Sequence, residues 1–181
     1  MMLVEATTAF LLVIDVQERL LPAVANNVAV ERNCAVLLKA ASEMEVPAVV
    51  SEQYPRGLGK TVPALAELVG DDAIFAKVEF SCARDLGLMA HIEGLGRKQA
   101  ILCGLEAHIC VLQTALELKR RGFEVFVAVD AIGSRADSSK EIARDRMNAA
   151  GIAIVTAEMV VFEMMKTAAA PQFKLLSKLI Q

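Results

Sequence analysis

A chain of 181 residues is long enough to bury a full hydrophobic core, and hydrophobic residues make up 55% of it, above the usual globular share. The net charge is −3 with no basic block, which argues against nucleic acid or an anionic membrane as a partner. No stretch reaches the ~20 apolar residues of a membrane span, and Glu5 rather than a basic leader precedes the first apolar run, so a cytoplasmic protein is expected.

The chain alternates short apolar runs with amphipathic stretches. A strand is predicted over 10–14, ending at Asp15. A helix over 29–44, a strand over 48–51 and a polar loop over 51–61 follow. A helix over 62–69 and a strand over 73–76 bring the chain to Lys77, and a helix is predicted over 83–93. The run at 100–103 is a strand, Gly104 a turn, and apolar residues at helical spacing predict a helix over 109–121. A strand over 124–129, a helix over 138–150 capped by Asp137 or Ser138, and a strand over 153–155 complete the alternation. A final helical region from 157 onward is interrupted near Pro171. Gly122 and Gly151 suit helix ends.

Six strands with intervening helices predict an α/β fold. It is doubly wound and Rossmann-like, with three layers, a six-stranded parallel sheet and one domain over 1–181. Part of the apolar excess fits a sheet covered on both faces, and part fits an interface between copies. The stripe Phe173, Leu176 and Ile180 is a candidate surface for a homo-oligomer, a dimer or higher.

In such sheets the site lies beyond the carboxyl ends of the strands, where strand order reverses. Three chemically useful residues fall at those ends: Asp15, Lys77 and Cys110. Cys110 sits where a strand hands over to the first turn of a helix, a place that favours an anion such as a thiolate, so a modest lowering of its pKa is expected. An acid, a cation and a thiol at one sheet edge are the parts of an activated nucleophile.

The segments LLVIDVQERL, the Lys77 stretch with Phe80 and Ser81, and GLEAHICVLQTALELKRRGFEVFVAVDAIGSR make the chain resemble the isochorismatase-like cysteine hydrolases over nearly its whole length. The resemblance implies an Asp–Lys–Cys triad at Asp15, Lys77 and Cys110. It also implies a cis peptide bond between Glu106 and Ala107, and an oxyanion hole from the N–H groups of Ala107 and Cys110. The metal-binding branch of that family carries an Asp-x-His motif. The corresponding stretch SEQYPRGLGKTV has no His, and the whole chain has only His91 and His108. The resemblance is therefore to the metal-free members: no metal and no cofactor are expected.

Gln17, Tyr54, Phe80 and His108 are candidate substrate-binding residues. Gly57-Leu-Gly-Lys-Thr61 is an incomplete phosphate loop, since Tyr54 stands where the pattern needs Gly, and reads instead as a lid or pocket rim. The expected activity is cysteine-dependent hydrolysis of a small amide, ureide or carbamoyl compound through a thioester. Two alternatives stand beside it: acid-catalysed vinyl-ether hydrolysis, as by isochorismatase itself, and a non-catalytic thiol-based redox or small-molecule sensor.

Overall fold

The computed structural model describes residues 3–180. Six parallel strands form one sheet in the order β3-β2-β1-β4-β5-β6. They are β1 (Ala9–Ile14), β2 (Ala48–Gln53), β3 (Ile74–Lys77), β4 (Gln99–Leu105), β5 (Glu124–Gly133) and β6 (Ala153–Val155). The central strands β1 and β4 are buried at every residue, which explains why they read as continuous apolar runs.

Alternate residues of β1 feed two cores. Leu11 and Val13 join the side covered by α1 (Asn27–Glu43), α3 (Pro63–Ala66), α7 (Ala157–Met165) and α8 (Phe173–Leu179). Phe10, Leu12 and Ile14 join the side covered by α4 (Leu86–Gly94), α5 (Leu112–Arg120) and α6 (Asp137–Ala149). The short turn of helix Pro55–Leu58 is α2. Phe10 meets Phe123 edge-on, with ring centroids 6.0 Å apart. Burial of a side chain of that size is worth ~1.5–3 kcal/mol.

The strand order turns back between β1 and β4, so their carboxyl ends flank the crevice where a doubly wound sheet binds ligands. Gly104 keeps the two strands close there. Its φ is +109°, and a Cβ would lie 2.0 Å from the carbonyl oxygen of Ile14. No other residue fits without moving the backbone.

Several element ends differ from the sequence reading. The 62–69 helix is the single turn α3, started by Pro63. α4 starts at Leu86, because the side chain of Asp85 accepts a hydrogen bond from the N–H of Leu88. α6 has Ala136 at its N-cap with no side-chain bond; Asp137 lies inside the first turn, where its charge still suits the helix dipole. The C-terminal stripe does not face outward. Leu176 is fully buried, and Phe173 and Ile180 pack against the same core, so this chain covers most of the stripe itself.

Candidate active site

Asp15 follows β1 in the left-handed region, at φ +53°, and its N–H donates to the carbonyl of Ser51. A non-glycine residue in this region is uncommon and is held only where the surroundings fix it. The twist at the strand end turns the Asp15 carboxylate toward β2 and β3. Its Oδ1 accepts from the Ser51 hydroxyl at 2.7 Å, and its Oδ2 accepts from Lys77 Nζ at 2.8 Å. Both charged side chains are 0% exposed. A buried ion pair persists only when its remaining donors and acceptors are satisfied. Here Gln53 Oε1 accepts from Lys77 Nζ at 2.7 Å, and the Phe80 carbonyl accepts from it at 3.4 Å.

Cys110 reaches the pair from β4. After Leu105 the chain enters a π-helical turn, Ala107–Val111, before α5 begins. The N–H of Val111 bonds to the Glu106 carbonyl five residues back, the spacing that widens a helix by one residue. The Glu106 carboxylate accepts from the N–H and Nε of Arg135 at 3.0 and 3.2 Å and braces the turn against the end of β5. The N–H groups of Ala107 and His108 donate to no acceptor among the described residues. That of Cys110 makes no bond outside its own turn. Against expectation, the Glu106–Ala107 peptide is trans. The wide turn itself swings the thiol toward Asp15 from an extended Glu106, at φ −82° and ψ 140°.

The local electrostatics also differ from the sequence expectation. Burial pushes the Cys110 thiol far up, the negative charge of Asp15 pushes it further, and the opposing pull of Lys77 is smaller. A helix start acts on the thiol from the near end of one element only, whereas desolvation and the charge of Asp15 arise from tertiary packing. Burial likewise raises the carboxyl of Asp15 above its ordinary 3.8, against the pull of Lys77 and Ser51. Burial draws Lys77 down, but the charge of Asp15, the Cys82 and Cys110 sulfurs and the Asp15 hydrogen bond together outweigh it, and the net shift is upward. The resting site is thus a buried carboxylate–ammonium pair facing a neutral thiol. Alkylation of Cys110 by iodoacetamide is therefore expected to be slow near neutral pH and to keep rising beyond pH ~9. A plateau reached below pH ~8, read by peptide mapping, would contradict this account. Cys34 and Cys103 are fully buried in the opposite core and should react later still.

A second thiol stands close by. Cys82 is fully buried, and its Sγ donates to Ser51 Oγ at 3.5 Å while its N–H donates to Thr114 Oγ1 at 3.0 Å. Burial, then the charge of Asp15, pushes it up to about 11.

The remaining candidates take up different places. Gln17 is fully buried; its Nε2 donates to the carbonyls of Gln53 and Gly59, and its Oε1 accepts from the N–H of Gln53. Its amide is thus engaged with backbone, and it ties the 57–61 segment to the end of β2. Glu52 ties the same segment by accepting from the N–H and hydroxyl of Thr61. The segment expected to be a lid or pocket rim is therefore tied down at Gly59 and at Thr61. Tyr54 follows β2 at φ +38°, is 55% exposed, and bonds its N–H to the carbonyl of Lys77. Phe80 is also 55% exposed, on the loop that roofs Lys77. His108 turns its Nδ1 to Ser134 Oγ at 3.0 Å and lines a cavity of about 210 Å³ beside Ser139 and Arg146. Ser51 and Gln53 escaped the sequence reading. The signal was their spacing of two, which puts both on the face that Val49 begins. Among the described residues, no group of three or more His, Cys, Asp or Glu side chains is placed to hold a metal ion.

Residues 9–159 match the model of the isochorismatase domain. The chain belongs to the isochorismatase family. Among its relatives it is 36% identical over 179 residues to isochorismatase domain-containing protein 1 of Salmo salar, covering 99% of this chain and 62% of that one. It therefore spans less than two thirds of the salmon protein. To isochorismatase domain-containing protein 2A of Mus musculus it is 36% identical over 177 residues, covering 96% of this chain and 83% of the mouse protein. Two solved structures superpose closely. One, from Caenorhabditis elegans, is described as the MAR1 ribonuclease; it has a TM-score of 0.93 at 34% identity and covers 99% of this chain and 92% of its own. The other is the YcaC gene product of Escherichia coli, described as an octameric hydrolase of unknown specificity. Its TM-score is 0.94 at 25% identity, with 99% and 90% covered. No described helix of this family member is long and apolar enough to cross a membrane.

Proposed function

We propose that this isochorismatase-family hydrolase cleaves a non-peptide C–N bond in a small amide, ureide or carbamoyl compound, with Cys110 as nucleophile. The observation that carries the reading is the thiol set against a buried Asp15–Lys77 pair at the crevice of the sheet. Asp15 takes the thiol proton as Cys110 Sγ bonds to the substrate carbonyl carbon. The carbonyl oxygen becomes an oxyanion, received by the backbone N–H groups of Ala107 and Cys110. Asp15 then gives its proton to the departing nitrogen, and the C–N bond breaks to leave a thioester. Water loses a proton to Asp15 and attacks the thioester; the acid leaves, and Cys110 recovers its proton. Burial makes Asp15 a stronger base than an exposed carboxylate, which suits it to a thiol that is not ionised at rest. Lys77 keeps the anionic forms affordable throughout. Tyr54, Phe80 and His108 are proposed to form the walls of the substrate site, and the chain is proposed to act in the cytoplasm without metal or cofactor.

The test is a hydrolysis screen over small amides and ureides, with a vinyl ether and an RNA in parallel and Cys110→Ala as control. Thiol-dependent release of amine or ammonia supports the reading. Thiol-independent cleavage of the vinyl ether, or cleavage of the RNA named by the nematode neighbour's description, would replace it. If nothing is hydrolysed and Cys110 oxidises reversibly, the sensor reading takes its place. Assembly with copies of itself belongs to the same proposal. Leu3, Met159, Phe162 and Leu175 remain exposed, and the E. coli neighbour is described as octameric. Light scattering should give a multiple of 19.5 kDa, and a monomer at micromolar concentration would contradict it.

A further inference from the structure

An ammonium has three N–H donors, and all three of Lys77 are taken by the protein: Asp15 Oδ2, Gln53 Oε1 and the Phe80 carbonyl. Lys77 therefore has no N–H left for a substrate, and its contribution is a fixed charge. What fixes it on the side away from Asp15 is Gln53, whose own amide is pinned. Gln53 Nε2 donates to the Val78 carbonyl at 2.7 Å, which commits its oxygen to Lys77. Its backbone N–H and carbonyl are both clasped by the buried amide of Gln17. A lysine stem has four rotatable carbons, so an unanchored ammonium in this site has other places to go.

We propose that Gln53 is a positioning residue, holding Lys77 as a charge silent toward substrate so that the Asp15 carboxylate stays available to the Cys110 thiol. The inference rests on the reading of Cys110 as nucleophile and Asp15 as its base. Ser51 complements it from the same face of β2, occupying Oδ1 of Asp15 while Lys77 occupies Oδ2. β2 thus presents one polar side chain to each member of the pair.

The test needs no substrate. The rate of Cys110 alkylation by iodoacetamide is followed against pH in the wild type, Gln53→Met, Lys77→Met and the double variant. With Lys77 loosened, the thiolate loses part of its stabilisation. Gln53→Met should move the profile up by roughly one pH unit, or about tenfold in rate at a given pH. In the Lys77→Met background, Gln53→Met should add nothing, because the group it acts through is gone. Gln53→Glu keeps the shape but adds a negative charge beside the pair, and should shift the profile upward at least as far. It also serves where the methionine variant fails to fold, judged by its thermal melt. An unchanged profile in Gln53→Met overturns the proposal. So does an equal shift with and without Lys77, or a Gln53→Glu profile like wild type, each of which would leave Gln53 a packing role only. A negative hydrolysis screen leaves this test intact, so the two proposals fail separately.

Discussion

Cys110→Ser is expected to abolish C–N hydrolysis while leaving the fold in place. The substitution is nearly isosteric, and Cys110 sits within a buried turn that oxygen can occupy as well as sulfur. An alcohol is a far weaker acid than a thiol, and a carboxylate paired with an ammonium is too weak a base to ionise it. The expected loss is large, on the order of the ~10⁶-fold seen when a triad hydrolase loses its nucleophile. Turnover of the best substrate from the screen, measured beside a thermal melt, checks both halves. Near-full activity in the serine variant would turn the account toward acid catalysis by Asp15 alone.

Asp15→Asn should lower turnover by roughly 10²–10⁴-fold, the usual worth of a positioned general base. Asparagine keeps the size of the side chain and can still accept from Lys77 or Ser51, but it takes no proton from a thiol. It also strips Lys77 of its counter-charge, and a buried unpaired ammonium is costly, so the melt should fall as well. The wild-type pH profile has the matching sign. Activity needs Asp15 ionised, so it is present above the carboxyl pKa and lost as pH falls through it. Because burial raises that pKa, the acid limb should lie above pH 3.8. An Asp15→Asn enzyme of wild-type turnover would remove Asp15 from the mechanism.

Asp15 and Lys77 could be picked out from the chain because each closes an apolar run, buried throughout in β1 and half-exposed in β3, and in a parallel sheet the end of such a run marks the carboxyl edge. Cys110 stood out by the same logic. The partners Ser51 and Gln53 did not, because the apolar run of β2 stops at Val50. The strand continues to Gln53 only because β3 pairs with it there, Glu52 with Ala76 and Gln53 with Lys77. That extension belongs to tertiary structure. The π-helical turn was hidden for a related reason: apolar positions over 107–120 suit an α-helix and a helix with one wide turn alike. Only the bond from Val111 to Glu106 separates them. The stripe on α8 shows the limit of amphipathicity as a guide to assembly, since it states that a face will be covered and not by what.

The most direct measurement of the central claim is capture of the acyl-enzyme. The protein is mixed with a hydrolysed amide, quenched in acid during turnover, and mapped by peptide mass spectrometry. The acyl portion of the substrate is expected on the peptide that carries Cys110, lost on further incubation and absent from the Cys110→Ser variant. Steady hydrolysis with no adduct on Cys110, retained in full by Cys110→Ser, would contradict it.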